Sequence, residues 1–176
     1  MWDAAGKAGL ALGGTSSVFL FISHALADIQ MPGFLLTIAN FLIWALKFGG
    51  CIWLMVFFMK KFADENPEAD NSNTYRFGMA TAFLSALIFA AVSFADIAFI
   101  SADTYAQMKE LAQQQMGSLM DSNTATAMEN MFNNLPQYMF FANLIYCFLY
   151  GTLLSGILSR VIPSRNPFAN YKPEDQ

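Results

Sequence analysis

Four predominantly apolar blocks constrain the fold of this chain more than any other feature of its sequence. They cover residues 8–27, 34–59, 77–100 and 139–162, and they are 20, 26, 24 and 24 residues long. A helix needs about 20 predominantly apolar residues to cross the hydrocarbon core of a bilayer. The blocks therefore predict an all-α integral membrane protein with four transmembrane helices, in a single membrane domain that comprises residues 1–176.

The composition excludes two other classes of protein. Charged residues make up 12% of the chain, against roughly a quarter in an ordinary soluble domain, so they are too few to cover a soluble globule. A net charge of −4 without a basic patch argues against nucleic acid as a partner, because that binding depends on neutralising phosphates. We therefore expect the lipid bilayer to surround this chain.

The first apolar block has an alternative interpretation as a cleaved signal peptide. Ala25-Leu26-Ala27 is similar to the small-residue cleavage site that follows the apolar region of such peptides. The residues before the block, however, carry Asp3 and only one basic residue, Lys7. Because this positive region is weak, we expect an uncleaved first span.

The basic residues predict the orientation of the spans. One side of the membrane receives seven of them: Lys7, Lys60, Lys61, Arg76, Arg160, Arg165 and Lys172. The opposite side receives only Lys109, in a longer stretch of chain. Since basic residues accumulate on the cytoplasmic side, both termini, the loop 60–76 and the tail 163–176 are expected in the cytoplasm.

Two connections differ in their expected structure. The loop 60–76 is acidic and rich in Asn after its first two residues and contains Pro67, so we expect it to have no fold of its own. The external segment 101–138 is predicted to form two short amphipathic helices on the outer face of the membrane or on the ends of the spans. Its apolar residues recur at helical spacing, with Tyr105, Met108, Leu111, Ala112, Met116 and Leu119 in the first stretch and Met128, Met131, Phe132 and Leu135 in the second.

Capping residues place the ends of these two helices. Thr104 with Gln107, and Thr126 with Glu129, have the spacing of a capping box at a helix start. Pro136 is expected to end the second helix.

Two sets of residues are candidates for contact with a partner protein. Methionine-rich surfaces accept varied apolar partners, and small residues spaced by four let helices approach closely in lipid. The candidates are Gly9, Gly13, Met108, Met116, Met128, Met131 and Phe132. The alternatives are that the external methionines pack on each other and on the bilayer interface, and that the glycines pack inside the bundle.

Lys47 is the residue within the spans that most needs an explanation. It lies thirteen positions from Phe34 and twelve from Met59, near the middle of the second block. A charge at this depth costs upward of about 2.5 kcal/mol. Because helix side chains lean toward the N-terminus, Lys47 is expected to reach toward the outer side.

A polar pocket that opens outward would accommodate this charge. Its candidate residues, all in the outer half of the bundle, are Lys47, Asn40, Ser93, Asp96, Asn143, Tyr146 and Tyr150, with His24 and Asp28 near the end of the first span. Tyr150 is the residue expected nearest to Lys47 in depth. One interpretation is a site for an anionic ligand or ion with Lys47 as its cation, and the other is a buried network that fixes helix packing.

The sequence offers no group that points to catalysis, a metal or a cofactor. It contains no nucleophile elbow, phosphate-binding loop or H-E-x-x-H motif. His24 and Asp28 share a helix face, but two ligands do not make a secure metal site. Cys51 and Cys147 are expected about 13 Å apart in depth, too far for a disulfide. We expect a non-enzymatic protein without a cofactor.

The order of these segments resembles the Bacteroidota family called domain of unknown function 4199. The resemblance rests on the start of the third span, Tyr75-Arg76-Phe77-Gly78-Met79-Ala80, on the external stretch rich in Met and Gln, and on the last span. That span closes with Gly151-Thr152-Leu153-Leu154-Ser155-Gly156-Ile157-Leu158-Ser159-Arg160, before a tail with Asn166-Pro167-Phe168.

The resemblance implies a bacterial inner-membrane location and supplies no functional residues. It also implies a genomic neighbourhood of glycosyltransferases that load sugars onto polyprenyl phosphate. The leading hypothesis is therefore an accessory subunit that binds a membrane partner such as one of these glycosyltransferases. The alternative is a small transporter or lipid-carrier flippase in which Lys47 contacts an anionic group, and an enzyme acting at the outer face is the third possibility.

Overall fold

A computed structural model describes residues 1–27, 29, 32–67, 69–116 and 121–162 of the chain. The helices are α1 (Trp2–Ala27), α2 (Gly33–Glu65), α3 (Asn71–Ala95), α4 (Ala102–Met116), α5 (Ser122–Asn133) and α6 (Leu135–Val161), and a π-helical turn (Asp96–Ile100) continues α3. Within the described residues four helices are long and apolar enough to span a membrane. The predicted all-α fold with four spans is thereby confirmed.

The connection between α2 and α3 is shorter than the sequence predicted. The expectation that residues 60–76 have no fold is wrong, because α2 continues to Glu65 and α3 already begins at Asn71. The Asp70 side chain accepts a hydrogen bond of 2.8 Å from the backbone N–H of Asn73, which satisfies a free donor of the first turn. The two helices therefore extend beyond the ends of the apolar blocks.

The two helices between the third and fourth spans are present, but they begin before their predicted capping boxes. Residue Thr104 lies inside α4, because the chain passes from the π-helical turn through Ser101 directly into this helix. Helix α5 starts at Ser122 rather than near Thr126, because Asp121 caps it by accepting a 3.1 Å hydrogen bond from the N–H of Thr124. A hydrogen bond with the Thr124 side chain, together with this backbone bond, holds the pKa of Asp121 below its usual value.

Helices α4 and α5 are connected to each other by a side-chain hydrogen bond, and α5 is followed directly by α6. A 2.9 Å hydrogen bond from Lys109 Nζ to Asn133 Oδ1 ties α4 to α5. Pro136 lies in the first turn of α6, where its missing N–H has no intrahelical partner to lose, so the chain enters α6 immediately after α5. Leu119 and the tail 163–176, and the side chain of Met116, lie outside the described residues.

Helix α3 is the centre of the bundle and packs most extensively against α6 and α1. Glycines allow the close approach on both sides. A Cβ atom added at Gly151 would lie 2.5 Å from Ala82 Cβ, and one added at Gly9 would lie 2.7 Å from Leu84 Cβ. A Cβ atom added at Gly13 would lie 2.9 Å from the backbone oxygen of Ser85. Both glycines of α1 therefore pack against α3.

Packing is tight at one end of the bundle and loose at the other. The end that carries Lys60, Lys61, Arg76 and Arg160, here called the basic end, holds the buried apolar core: Ala5, Ala8, Leu12, Met55, Met59, Phe62, Ala63, Ala69, Phe77, Ala80 and Ile162. The rings of Phe62 and Phe77 stack there with centroids 4.2 Å apart. The opposite end, which carries α4 and α5, is here called the insertion end. The N-terminal half of α2 leaves large apolar side chains exposed on this side of the core.

Candidate functional site

A cavity of about 300 Å³ lies between α1, α2, α3 and α6, next to the buried core on its insertion side. All four membrane-spanning helices supply its walls. The lining residues are Leu12, Ser16, Trp44, Lys47, Phe48, Cys51, Met55, Ala82, Ser85, Phe89, Asn143, Tyr146, Cys147, Tyr150, Gly151 and Leu154. The walls thus combine aromatic and aliphatic surface with a few polar groups, the usual composition of a ligand pocket.

Lys47 supplies the positive charge of this cavity. Its ammonium nitrogen lies 4.3 Å from the centroid of the Phe89 ring, within the range of a cation–π interaction. Among the described residues no carboxylate lies within ion-pair distance of this ammonium. The ring therefore contacts the ammonium without supplying a counter-charge.

Aromatic side chains of α2 and α6 form one wall and the rim. The Phe48 and Tyr150 rings meet edge-on, with centroids 5.4 Å apart, and the centroids of the Phe48 and Trp44 rings are 4.7 Å apart. Trp44 and Tyr146 are 54% and 60% exposed, so they border the opening. Phe48 follows Lys47 in sequence, and its contact with Tyr150 agrees with the depth expected for Lys47 and Tyr150.

Only some of the predicted pocket residues line the cavity. Lys47, Asn143, Tyr146 and Tyr150 line the cavity. The other three candidates do not: Asn40 is exposed on α2, while Ser93 and Asp96 lie buried farther along α3. Ser93 is nevertheless connected to the cavity, because its Oγ accepts a 2.9 Å hydrogen bond from Asn143 Nδ2.

Asp96 belongs to a second polar cluster, at the insertion end of α3. It is 1% exposed, and its Oδ1 accepts a 3.0 Å hydrogen bond from Ser101 Oγ. His24 Nδ1 of α1 lies 3.5 Å from the same oxygen. The π-helical turn, in which Ser101 N–H donates to Asp96 O at 2.7 Å, brings Ser101 over the carboxylate. Asp28, which the sequence grouped with His24, lies outside the described residues.

Helix α4 also reaches this second cluster. Burial raises the pKa of the Tyr105 hydroxyl, and the negative charge of Asp96 raises it further. Within the described residues no group of three His, Cys, Asp or Glu side chains is placed to hold a metal ion.

Several cavity residues were not singled out from the sequence. Ser16, Ser85, Cys51 and Cys147 line the cavity but are not among the predicted site residues. Both cysteines are free thiols in the cavity wall, and Cys51 Sγ lies 3.4 Å from Ser16 Oγ. Phe89 could have been predicted as a site residue, because it lies on the same helix face as Ser93 and Asp96, one turn before the first and two turns before the second.

These features define a class: a helical membrane protein with four candidate spans, whose bundle contains a cavity lined by a lysine side chain. The match to the family described as Protein of unknown function (DUF4199) covers residues 7–162, so the chain belongs to this family. No curated protein and no solved structure matches the chain.

Proposed function

We propose that this protein binds an anionic amphiphile in the cavity between its four spans, with Lys47 as the counter-charge. The observation that supports this function is an ammonium group that lines a cavity and has no carboxylate partner among the described residues. An uncompensated charge in a membrane is costly and typically marks a ligand or ion pathway. A phosphate or carboxylate that contacts Lys47 would remove this cost.

The position and walls of the cavity favour an amphiphile over a small soluble anion. Lys47 is fourteen residues from Gly33 at the start of α2, which corresponds to about 21 Å at 1.5 Å per residue. A ligand at this depth is surrounded by Trp44, Phe48 and Phe89 as well as by lipid. The exposed rim residues Trp44 and Tyr146 leave a path for a molecule that already resides in the bilayer.

The packing supports binding rather than catalysis. The core at the basic end closes one side of the cavity, so a ligand would enter and leave on the insertion side. The polar groups around it, Asn143, Tyr146 and Tyr150, are hydrogen-bonding groups that orient an anionic head. We therefore propose a binding protein that presents or carries a lipid-like anion, and transport across the membrane would require an additional opening of the core.

Quenching of Trp44 fluorescence by brominated lipids tests this function. The chain has three tryptophans, so replacing Trp2 and Trp53 by Phe leaves Trp44 at the rim as the reporter. In nanodiscs we expect brominated phosphatidic acid to compete for the site better than brominated phosphatidylcholine. Lys47→Met should reduce this preference about tenfold or more, since a hydrogen bond to a charged group contributes about 1.5–3 kcal/mol.

Two controls define the result. Lys47→Arg keeps the charge and should retain most of the preference, and Lys61→Met removes an exposed lysine outside the cavity and should change nothing. An unchanged preference for phosphatidic acid in Lys47→Met would contradict the proposed function.

The sidedness of the membrane is a second part of the proposal. We propose a bacterial inner-membrane protein with both termini in the cytoplasm, because the described basic residues collect at the basic end while α4 and α5 carry only Lys109. The cavity would then open toward the outer leaflet. In a chain with Cys51 and Cys147 replaced by Ser, an impermeant maleimide should label Asn123→Cys but not Glu65→Cys in cells with a permeabilised outer membrane, and the reverse pattern would invert this orientation.

The role as an accessory subunit stays a prediction from the sequence. Gly9 and Gly13 are occupied by α3, so the remaining described candidates are Met108, Met128, Met131 and Phe132 on α4 and α5. Co-purification with a membrane glycosyltransferase in mild detergent would support this role. Elution of the chain alone under these conditions would count against it.

A further inference from the structure

One face of α3 and of the π-helical turn that continues it carries three contact residues that extend from the cavity to the insertion end. Phe89, Ser93 and Asp96 are spaced by four and three residues, so they lie above one another on this face. Phe89 contacts Lys47. Ser93 is hydrogen-bonded to the cavity residue Asn143, and Asp96 lies beyond it in contact with α1 and with Ser101.

Asp96 has the properties of a site that binds and releases a proton. Its carboxyl group is almost completely buried within a span, where an uncompensated charge is costly and where carboxylate and imidazole pairs commonly serve as proton relays. The side chain of His24 is 42% exposed, so a proton can reach the pair from outside the bundle. The π-helical turn that begins at Asp96 is a further sign, because such turns frequently occur at functional sites.

We infer that His24 and Asp96 form a proton-binding site whose occupancy is coupled to the shape of the cavity through the α1–α3 contact. The ionisable groups placed against Asp96 are His24 from α1 and Tyr105 from α4. Helix α6 contributes the neutral amide of Asn143 one turn away, at Ser93. Histidine is the side-chain type whose charge most readily changes near physiological pH, so we assign the exchanging proton to the imidazole of His24.

The two protonation states hold α1 differently. With a proton on His24, an imidazolium lies 3.5 Å from a buried carboxylate, and their attraction is only partly screened because the carboxylate is excluded from water. Without this proton, only Ser101 contributes a hydrogen bond to the carboxylate among the described residues, and the ionic attraction between His24 and Asp96 is lost.

The consequence of this change reaches the cavity because α1 forms part of its wall. Leu12 and Ser16 line the cavity, and Ser16 contacts the thiol of Cys51. A shift of α1 at His24 therefore alters access to Cys51. The inference goes beyond the proposed function, since the coupling exists whether or not an amphiphile is bound.

The two cysteines allow a direct test, because they are the only thiols in the chain and both line the cavity. The full-length protein in nanodiscs is treated with methyl methanethiosulfonate, a small neutral thiol reagent, between about pH 5.5 and about pH 8, which brackets the ordinary titration of histidine. The rate for each thiol is divided by the rate in Asp96→Asn at the same pH, which cancels the titration of the thiols themselves. We expect this ratio to change by about fivefold or more across the range.

Matched variants separate proton coupling from a purely structural role. His24→Gln keeps a polar side chain at the half-exposed position and should lose the same pH dependence as Asp96→Asn. Asp103→Asn removes an exposed carboxylate on the neighbouring α4 and should behave as wild type. Should Asp96→Asn fail to fold, the ratio of wild type to His24→Gln provides the same measurement.

Three results would overturn the inference. The first is a flat ratio across the pH range. The second is an equal change in labelling at every pH in Asp96→Asn and His24→Gln, which indicates a structural contact only. The third is a response to sodium concentration rather than to pH, which indicates a cation site. The proposed function is measured at one pH with Lys47→Met, so its failure is distinguishable from failure here.

Discussion

Gly151→Ala is expected to lower the free energy of unfolding by about 1–3 kcal/mol, the usual cost of forcing an extra methyl group into a packed interface. The added Cβ would lie 2.5 Å from Ala82 Cβ and 3.4 Å from Ala82 Cα. Ala82 has no flexible end that could move away, so α3 and α6 must separate along their whole contact. In lipid this contact depends on close van der Waals packing, because apolar side chains gain little from leaving the hydrocarbon.

A control for this substitution is available in the same helix. A Cβ at Gly156 would meet only Tyr75 Cε2, at an ordinary 3.8 Å, so Gly156→Ala should be neutral or slightly stabilising because Ala favours the helix over Gly. Gly49→Ala, where nothing lies within 4 Å, should behave likewise. Denaturation in mixed micelles of increasing dodecyl sulfate content measures all three variants. Equal stability of Gly151→Ala and Gly156→Ala would refute the close α3–α6 approach.

The spans were predictable because the bilayer imposes a minimum length on every apolar helix. The ends of the helices were not, because helices also extend through polar residues outside the apolar blocks and begin wherever a side chain caps their first turn. Asp70 and Asp121 are such caps, and both were available in the sequence as acidic residues three positions before the backbone N–H groups that they accept from. The helix starts predicted from the capping boxes at Thr104 and Thr126 are wrong, because each residue lies inside a helix that begins earlier in the chain.

The depth of the candidate-site residues along the spans was predictable from the sequence, but the helix face on which each residue lies was not. Counting residues from the block ends placed Lys47 level with Tyr150, which agrees with the contact between Phe48 and Tyr150. The same count could not tell which face of a helix points inward, because each residue rotates by about 100° and the neighbouring helix is unknown. Asn40 therefore lies exposed on α2, and Asp96 pairs with His24 rather than with Lys47.

Lys47→Met is expected to raise the free energy of unfolding by about 2 kcal/mol, because it replaces an uncompensated ammonium near the middle of a span. Methionine has nearly the same length, fills the space beside Phe89 with apolar atoms and loses only the cation–π contact, which contributes about 0.5–2 kcal/mol. The same denaturation in mixed micelles measures this gain. Lys61→Met, which removes an exposed lysine 3.8 Å from Glu65, should stay within about 0.5 kcal/mol of wild type.

The two effects expected of Lys47→Met together distinguish the interpretations of this residue. A lysine that fixes the packing of the helices would lose stability when its charge is removed, because its partners would be left buried and unsatisfied. A lysine held for a ligand destabilises the empty protein, so its removal gains stability and loses the preference for phosphatidic acid. A loss of stability in Lys47→Met would favour the structural network, and a gain accompanied by weaker lipid binding is the combination that only a binding site explains.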